Sequence, residues 1–165
     1  NPFYRLDNVG EYTYAPYKVL WKEQTGSMSA VVVGNAEESL INYDNSVLGT
    51  DKIIMVDSKV LYLALESADE AYFVCGIINS PTIRNIIDGY AVETNRGIDV
   101  LKYLAIPKYD NTSQTHKDIA RISEQIHDFC KIELKSLGKI DQSKLSALEG
   151  ALDVLVIAMF AWFKR

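Results

Sequence analysis

The sequence predicts one α+β domain, and three observations carry that reading. Runs of β-branched and aromatic residues, separated by turn residues, are concentrated in the first 65 positions. From Ser67 onward the apolar residues recur at helical spacing. The chain then closes on two long periodic stretches joined by a short polar link. At 165 residues it can bury roughly two-thirds of its unfolded surface, enough to fold without disulfides or metal.

Residues 14–21 and 29–33 read as two strands, with Gln24-Thr25-Gly26-Ser27 as a hairpin-like loop. Residues 35–51, rich in Asn, Asp, Ser and Gly, read as a surface excursion. Residues 52–56 (KIIMV) and 60–65 (VLYLAL) are two further candidate strands. Ser67 is placed to N-cap a helix with Glu70 three residues on, and Phe73, Val74, Ile77 and Ile78 form its apolar face. Asn79-Ser80-Pro81 stops that helix. Pro81 opens the next one, with Ile83, Ile86, Ile87 and Tyr90 periodic behind it.

Residues 89–97 form a polar loop, 98–103 a short helix, and 104–107 a brief strand that Pro107 closes. Thr115 with Asp118 marks the start of a long helix bearing Ile119, Ile122, Ile126, Phe129 and Leu137, which Gly138 ends. Residues 143–165 make the last helix, with Leu145, Leu148, Leu152, Leu155, Met159 and Trp162 at alternating spacings of three and four. The expected organisation is an α+β core over 1–110 and an antiparallel helical pair over 111–165, in one continuous domain.

Composition narrows the function classes. Lys and Arg total 17 against 22 Asp and Glu, a net charge of −5, whereas nucleic-acid and anionic-membrane surfaces select basic proteins. The charge is uneven: residues 1–110 hold 9 basic and 15 acidic groups (−6), residues 111–165 hold 8 and 7 (+1). Six of the 17 aromatics fall within the first 21 positions, close to Arg5, Lys18 and Lys22. Cys75 and Cys130 are expected to be reduced, buried residues of a cytoplasmic protein. The apolar run 154–163 is about half the length of a membrane span, so no membrane role is expected. A start without Met or an apolar leader is what a fragment of a longer protein shows.

Catalytic chemistry is not apparent. No glycine set has phosphate-cradling spacing, and no nucleophile elbow is visible. His116 and His127 lie about 16 Å apart if they share a helix, too far to chelate one ion. Asn1-Pro2-Phe3-Tyr4 is similar to the Asn-Pro-Pro-Tyr turn of adenine-N6 methyltransferases. Phe3 replaces the second proline, however, and no nucleotide-binding strand and glycine loop precede it. We expect no catalytic, metal or cofactor-binding residue in this chain.

Four segments in order carry a family resemblance: YTYAPYKVLWKE (12–23), AYFVCGIINSPTIRNII (71–87), VLKYLAIPKYD (100–110) and THKDIARISEQIH (115–127). Together they resemble the C-terminal target-recognition region of type II, Taq-type and combined restriction–modification adenine-N6 DNA methyltransferases. They are also similar to domains of type I specificity subunits. The resemblance implies a domain that reads a short sequence in the major groove of double-stranded DNA. A separate N-terminal domain of the parent would bind S-adenosylmethionine and methylate adenine. It further implies terminal helices that pack on that catalytic domain or on a second subunit, as in a homo-oligomer.

The candidate DNA-binding residues follow from side-chain chemistry. On the first strand Lys18, Trp21 and Lys22 alternate with Tyr17 and Val19, so one face is core and the other presents basic and aromatic groups. For Tyr17 and Trp21 the core reading is favoured over that role, because large aromatics ordinarily pack. Asn95 and Arg96 have the donors for bidentate contact with base edges, and Arg84, Lys102 and Lys108 are candidates for phosphate. The acidic stretch 37–70 is expected to face away from DNA. The competing expectation is a protein-assembly module using the stripe from Leu145 to Trp162.

Overall fold

The computed structural model describes residues 10–34, 54–56, 59–90, 97, 99–102 and 104–161. It is an α+β fold in which a small antiparallel sheet packs on helices, the class the sequence predicts. Strands β1 (Tyr17–Lys22), β2 (Ala30–Gly34) and β3 (Val60–Leu65) lie in the order β2-β1-β3. The register sets Lys18 between Val33 and Ala64, and Leu20 between Val31 and Tyr62.

Alternation along β1 and β2 turns Val19, Trp21, Ala30 and Val32 inward, and all four are buried. They meet helix α1 (Ala68–Asn79), which is buried from Ala71 to Ile78 except at Tyr72. Across α1 lies α4 (Gln114–Leu137), which reaches it at Gly76. A β-carbon there would stand 3.0 Å from the Ser123 Cβ and 3.2 Å from the Ile119 Cγ2. Helix α5 (Gln142–Ala161) runs back beside α4 and closes on α2 (Pro81–Tyr90) with Leu152, Val156 and Met159. One apolar cluster joins residues of β1, β2, α1, α2, α4 and α5.

Several element ends follow the sequence closely. The Ser67 hydroxyl accepts the Glu70 N–H at 3.2 Å and caps α1. Helix α2 begins at Pro81, and α4 ends on Gly138, whose φ of 65° is the left-handed conformation glycine adopts without strain.

Other expectations are corrected. The first strand begins at Tyr17, because Pro16 has no N–H to give a ladder and the residues before it wind into a 3₁₀ turn, Glu11–Tyr14. Residues 54–56 form no strand, and β1 is paired on both edges without them. Residues 104–107 form none either, because Ala105 takes a φ of 47°, far from extended backbone. The short helix α3 covers only Asp99–Lys102.

Ser113, not Thr115, caps α4, its hydroxyl accepting the His116 N–H at 3.4 Å. Asp141 starts α5 by accepting the N–H groups of Ser143 and Lys144. Val156, absent from the expected stripe, is fully buried on α5, whereas Leu145, Leu148 and Leu155 are half-buried. The Asn1–Tyr4 turn, Trp162 and nearly all of the loop 35–51 and 89–97 readings lie outside the described residues, Tyr90 being the end of α2. Among the described residues no helix is long and apolar enough to cross a membrane.

Candidate nucleic-acid interface

The sheet has one face without a helix against it among the described elements. The outward positions are Lys18, Leu20 and Lys22 on β1, Val31 and Val33 on β2, and Val60, Tyr62 and Ala64 on β3. The 3₁₀ turn Glu11–Tyr14 approaches this face, and the Tyr12 ring tilts at 45° to that of Tyr62 with centroids 6.1 Å apart. The turn is set by Thr13, whose hydroxyl accepts the Gly10 N–H at 3.1 Å and whose own N–H donates to the Gly10 carbonyl at 2.9 Å. With Thr13 buried, Tyr12 and Tyr14 are forced outward, 48 % and 59 % exposed. At the far end of β1, Lys22 is exposed opposite Val60, and Glu23 donates its N–H to the carbonyl of Lys59 at 2.9 Å. Tyr12, Tyr62 and Lys22 thus share this face of the sheet, and Tyr14 stands exposed on the turn that approaches it. Tyrosine faces offer stacking to bases, and the ammonium groups offer charge to phosphate.

Two of the nominated DNA contacts are excluded by burial. Lys18 is 1 % exposed, and its Nζ donates to the Ala15 carbonyl at 3.1 Å, inside the bend that leads into β1. Burial lowers the pKa of this ammonium. Trp21 is 2 % exposed, on the face of β1 turned toward α1, and belongs to the core. Lys22 remains available. Arg84 is spent on structure: its Nη1 donates to Glu149 Oε1 at 3.3 Å, tying α2 to α5. Lys102 and Lys108 are exposed, on the end of α3 and the segment leading to α4. Asn95 and Arg96 lie outside the described residues. Among the described residues, the exposed or paired candidates Lys22, Arg84, Lys102 and Lys108 sit on separate elements. Sequence reasoning missed Tyr62, which packs against Tyr12 and shares the outward face of the sheet with Lys22. The early concentration of tyrosines was the one signal that pointed there.

Two concavities open among the described residues. A groove of about 380 Å³ between α2 and α5 is apolar apart from Thr82, with Ile83, Ile86, Leu104 and Phe160 among its walls. A pocket of about 240 Å³ between α1 and α4 mixes Asp69, Tyr109, Lys117, Arg121 and Glu124. Beside it the His116 ring stacks on Phe73 at 4.5 Å, and its Nδ1 accepts the Asp110 N–H at 3.0 Å. Burial, followed by the charge of Asp69, raises the pKa of Tyr109. No nucleophile–base pair is apparent in either place, and no group of three His, Cys, Asp or Glu among the described residues could hold a metal ion.

No protein-family model matches this chain, and neither a curated protein nor a solved structure shows significant similarity to it.

Proposed function

We propose that this chain is a DNA target-recognition domain of an adenine-N6 DNA methyltransferase from a restriction–modification system. In that role it contributes sequence recognition and no methyl transfer. S-adenosylmethionine and the reacting adenine would be held by an N-terminal methyltransferase domain of the parent, and the complex would act on double-stranded DNA in the cytoplasm. A type I-like specificity subunit is the same reading with the methyltransferase on another chain.

The observation that carries the proposal is spatial. Phe73, in the second of the four resembling segments, stacks on His116 of the fourth and lies 5.4 Å from Tyr109 of the third. The first segment supplies β1, the central strand, whose Val19 and Trp21 join the core around α1. Segments that are separate in sequence thus meet around one helix and leave the tyrosine–lysine face of the sheet open. The overall negative charge makes the isolated chain a weak binder, which would borrow phosphate contacts from its parent.

Fluorescence anisotropy of the chain on random-sequence duplex DNA, titrated with salt, tests this reading. Weak binding that falls steeply with salt, and falls further in Lys22→Glu and Tyr14→Ala, is expected. An absence of binding at low salt, both alone and with its parent methyltransferase, overturns it.

A further inference from the structure

The β1–β2 ladder closes at the pair Trp21 and Ala30, and residues 22–29 form the hairpin loop beyond it. Both ends of that loop are fastened. On the β2 side the Met28 side chain is buried, 1 % exposed, and its N–H and the Ser27 hydroxyl both donate to the Asp88 carboxylate. Asn79 takes both backbone groups of Ala30 just beyond. On the β1 side the Glu23 N–H donates to the Lys59 carbonyl at 2.9 Å. At the apex the Thr25 hydroxyl donates to the Ser27 carbonyl at 3.0 Å.

Two properties of the apex point to a ligand outside the chain. The hydroxyls of Thr25 and Ser27 are engaged in those bonds, whereas the exposed side-chain amide of Gln24 makes no hydrogen bond among the described residues. A loop already fixed in shape, with one amide left open, needs little further ordering when it binds. Gly26 is also exposed, and a β-carbon there would meet nothing within 4 Å. No packing inside the chain calls for a glycine at that position, and glycine is the residue that lets another molecule approach the backbone closely.

We propose that the tip of this hairpin enters the major groove of duplex DNA and that Gln24 reads an adenine there. The inference rests on the DNA-recognition reading and adds to it the element that enters the groove and the base it selects. A two-stranded ribbon fits the major groove. A side-chain amide presents a donor and an acceptor side by side, and adenine answers them in that groove with N7 as acceptor and the N6 amino group as donor. Guanine offers two acceptors, thymine an acceptor beside a methyl group, and cytosine a donor alone. In this arrangement the Gln24 Nε2 donates to N7 and its Oε1 accepts from N6. Lys22 and Lys59, exposed at the base of the hairpin, supply charge to the phosphates that flank the groove.

Selection from a random duplex DNA library at low salt, by the chain together with its parent methyltransferase, reads the assignment. The unsubstituted chain is expected to enrich a motif with a fixed adenine. Gln24→Ala is expected to make that one position degenerate and to weaken binding to the selected sequence about tenfold to a hundredfold, the effect of one bidentate base contact. Its affinity for random duplex and its melting temperature should not change. Gln24→Glu is expected to move the preference at that position from adenine to cytosine, because a carboxylate only accepts. A merely structural role in the loop would not exchange one base for another. Gly26→Leu is expected to weaken binding to every duplex without lowering the melting temperature. An identical motif in Gln24→Ala overturns the assignment of Gln24 and leaves the DNA reading intact. A Gly26→Leu protein that binds as before overturns the placement of the hairpin tip in the groove. Binding without any enriched motif overturns base reading by this loop, whereas no binding by the unsubstituted chain overturns the DNA reading and this inference with it.

Discussion

Asn79 holds Ala30 by both of its backbone groups: its Nδ2 donates to the Ala30 carbonyl at 2.7 Å, and its Oδ1 accepts the Ala30 N–H at 2.8 Å. The last residue of α1 thereby takes the place a neighbouring strand would have at this end of β2. Two residues earlier the chain is held in the same way, because Asp88 of α2 accepts the Met28 N–H at 2.9 Å and the Ser27 hydroxyl at 2.6 Å. The Asn-Ser-Pro turn is therefore a fastener between sheet and helices.

Asn79→Ala is expected to destabilise the fold by about 1–3 kcal/mol, because a backbone donor and acceptor lose their partner together. Asn79→Asp keeps the acceptor but sets a carboxylate oxygen against the Ala30 carbonyl, so it should not rescue. Urea unfolding of the three proteins checks this. An Asp variant as stable as the parent would show that the donated bond contributes nothing.

The neighbouring Ser80 makes the second fastener. Asp153 of α5 accepts the Ser80 hydroxyl at 2.8 Å, and the Thr82 N–H and hydroxyl at 2.9 Å and 2.8 Å, at the start of α2. Burial works to raise its pKa, but these hydrogen bonds and the nearby Arg84 outweigh it and hold the carboxyl below its usual range. A lowered folded pKa means stability that is complete above the unfolded value of about 3.9 and is lost as pH falls through the folded value. Asp153→Ala should therefore cost about 1–2 kcal/mol at neutral pH, the range of a lost helix cap. The gap to the parent protein should begin to narrow in melts below about pH 4, where the carboxyl of the unfolded chain protonates, and close only as pH falls through the lower folded value.

Periodicity and capping residues made the helices legible in advance: Ser67, Pro81 and Gly138 act locally, and local rules locate them. Strand ends were harder. Tyr14 has the composition of a strand residue, yet Pro16 and the Thr13 hydroxyl divert the chain into a turn. Ala105 looks ordinary in sequence and takes a left-handed φ only in the fold. The candidate interface was least legible, because it depends on register. Lys18 and Lys22 lie on the same side of one strand, and only the turn packed over its first half decides that Lys18 is buried while Lys22 is free. No single-strand pattern contains that information.

That division between the two lysines is testable. Lys18→Met replaces a buried ammonium by an apolar side chain of similar length. The change is expected to be neutral or stabilising, because burial disfavours the charged ammonium. It should leave DNA affinity unchanged, while Lys22→Glu weakens binding without altering the melting temperature. Lost DNA binding in a well-folded Lys18→Met protein would place that ammonium at the interface after all.

The two thiols should also separate by reactivity. Cys75 is buried on α1 with the Asn79 Nδ2 3.4 Å from its sulfur, and burial pushes its pKa up to about 12 despite a hydrogen bond with Ser123. Cys130 is half-buried on α4, and burial followed by the charge of Glu149 raises its pKa as well. The thiolate is the reactive form, so both residues are expected to resist alkylation at pH 8. Cys130 should react slowly in the native protein, and Cys75 only on the timescale of unfolding. Timed iodoacetamide labelling read by peptide mass spectrometry distinguishes them. Prompt labelling of Cys75 in folded protein would mean that α1 separates from α4 far more readily than the contact at Gly76 implies.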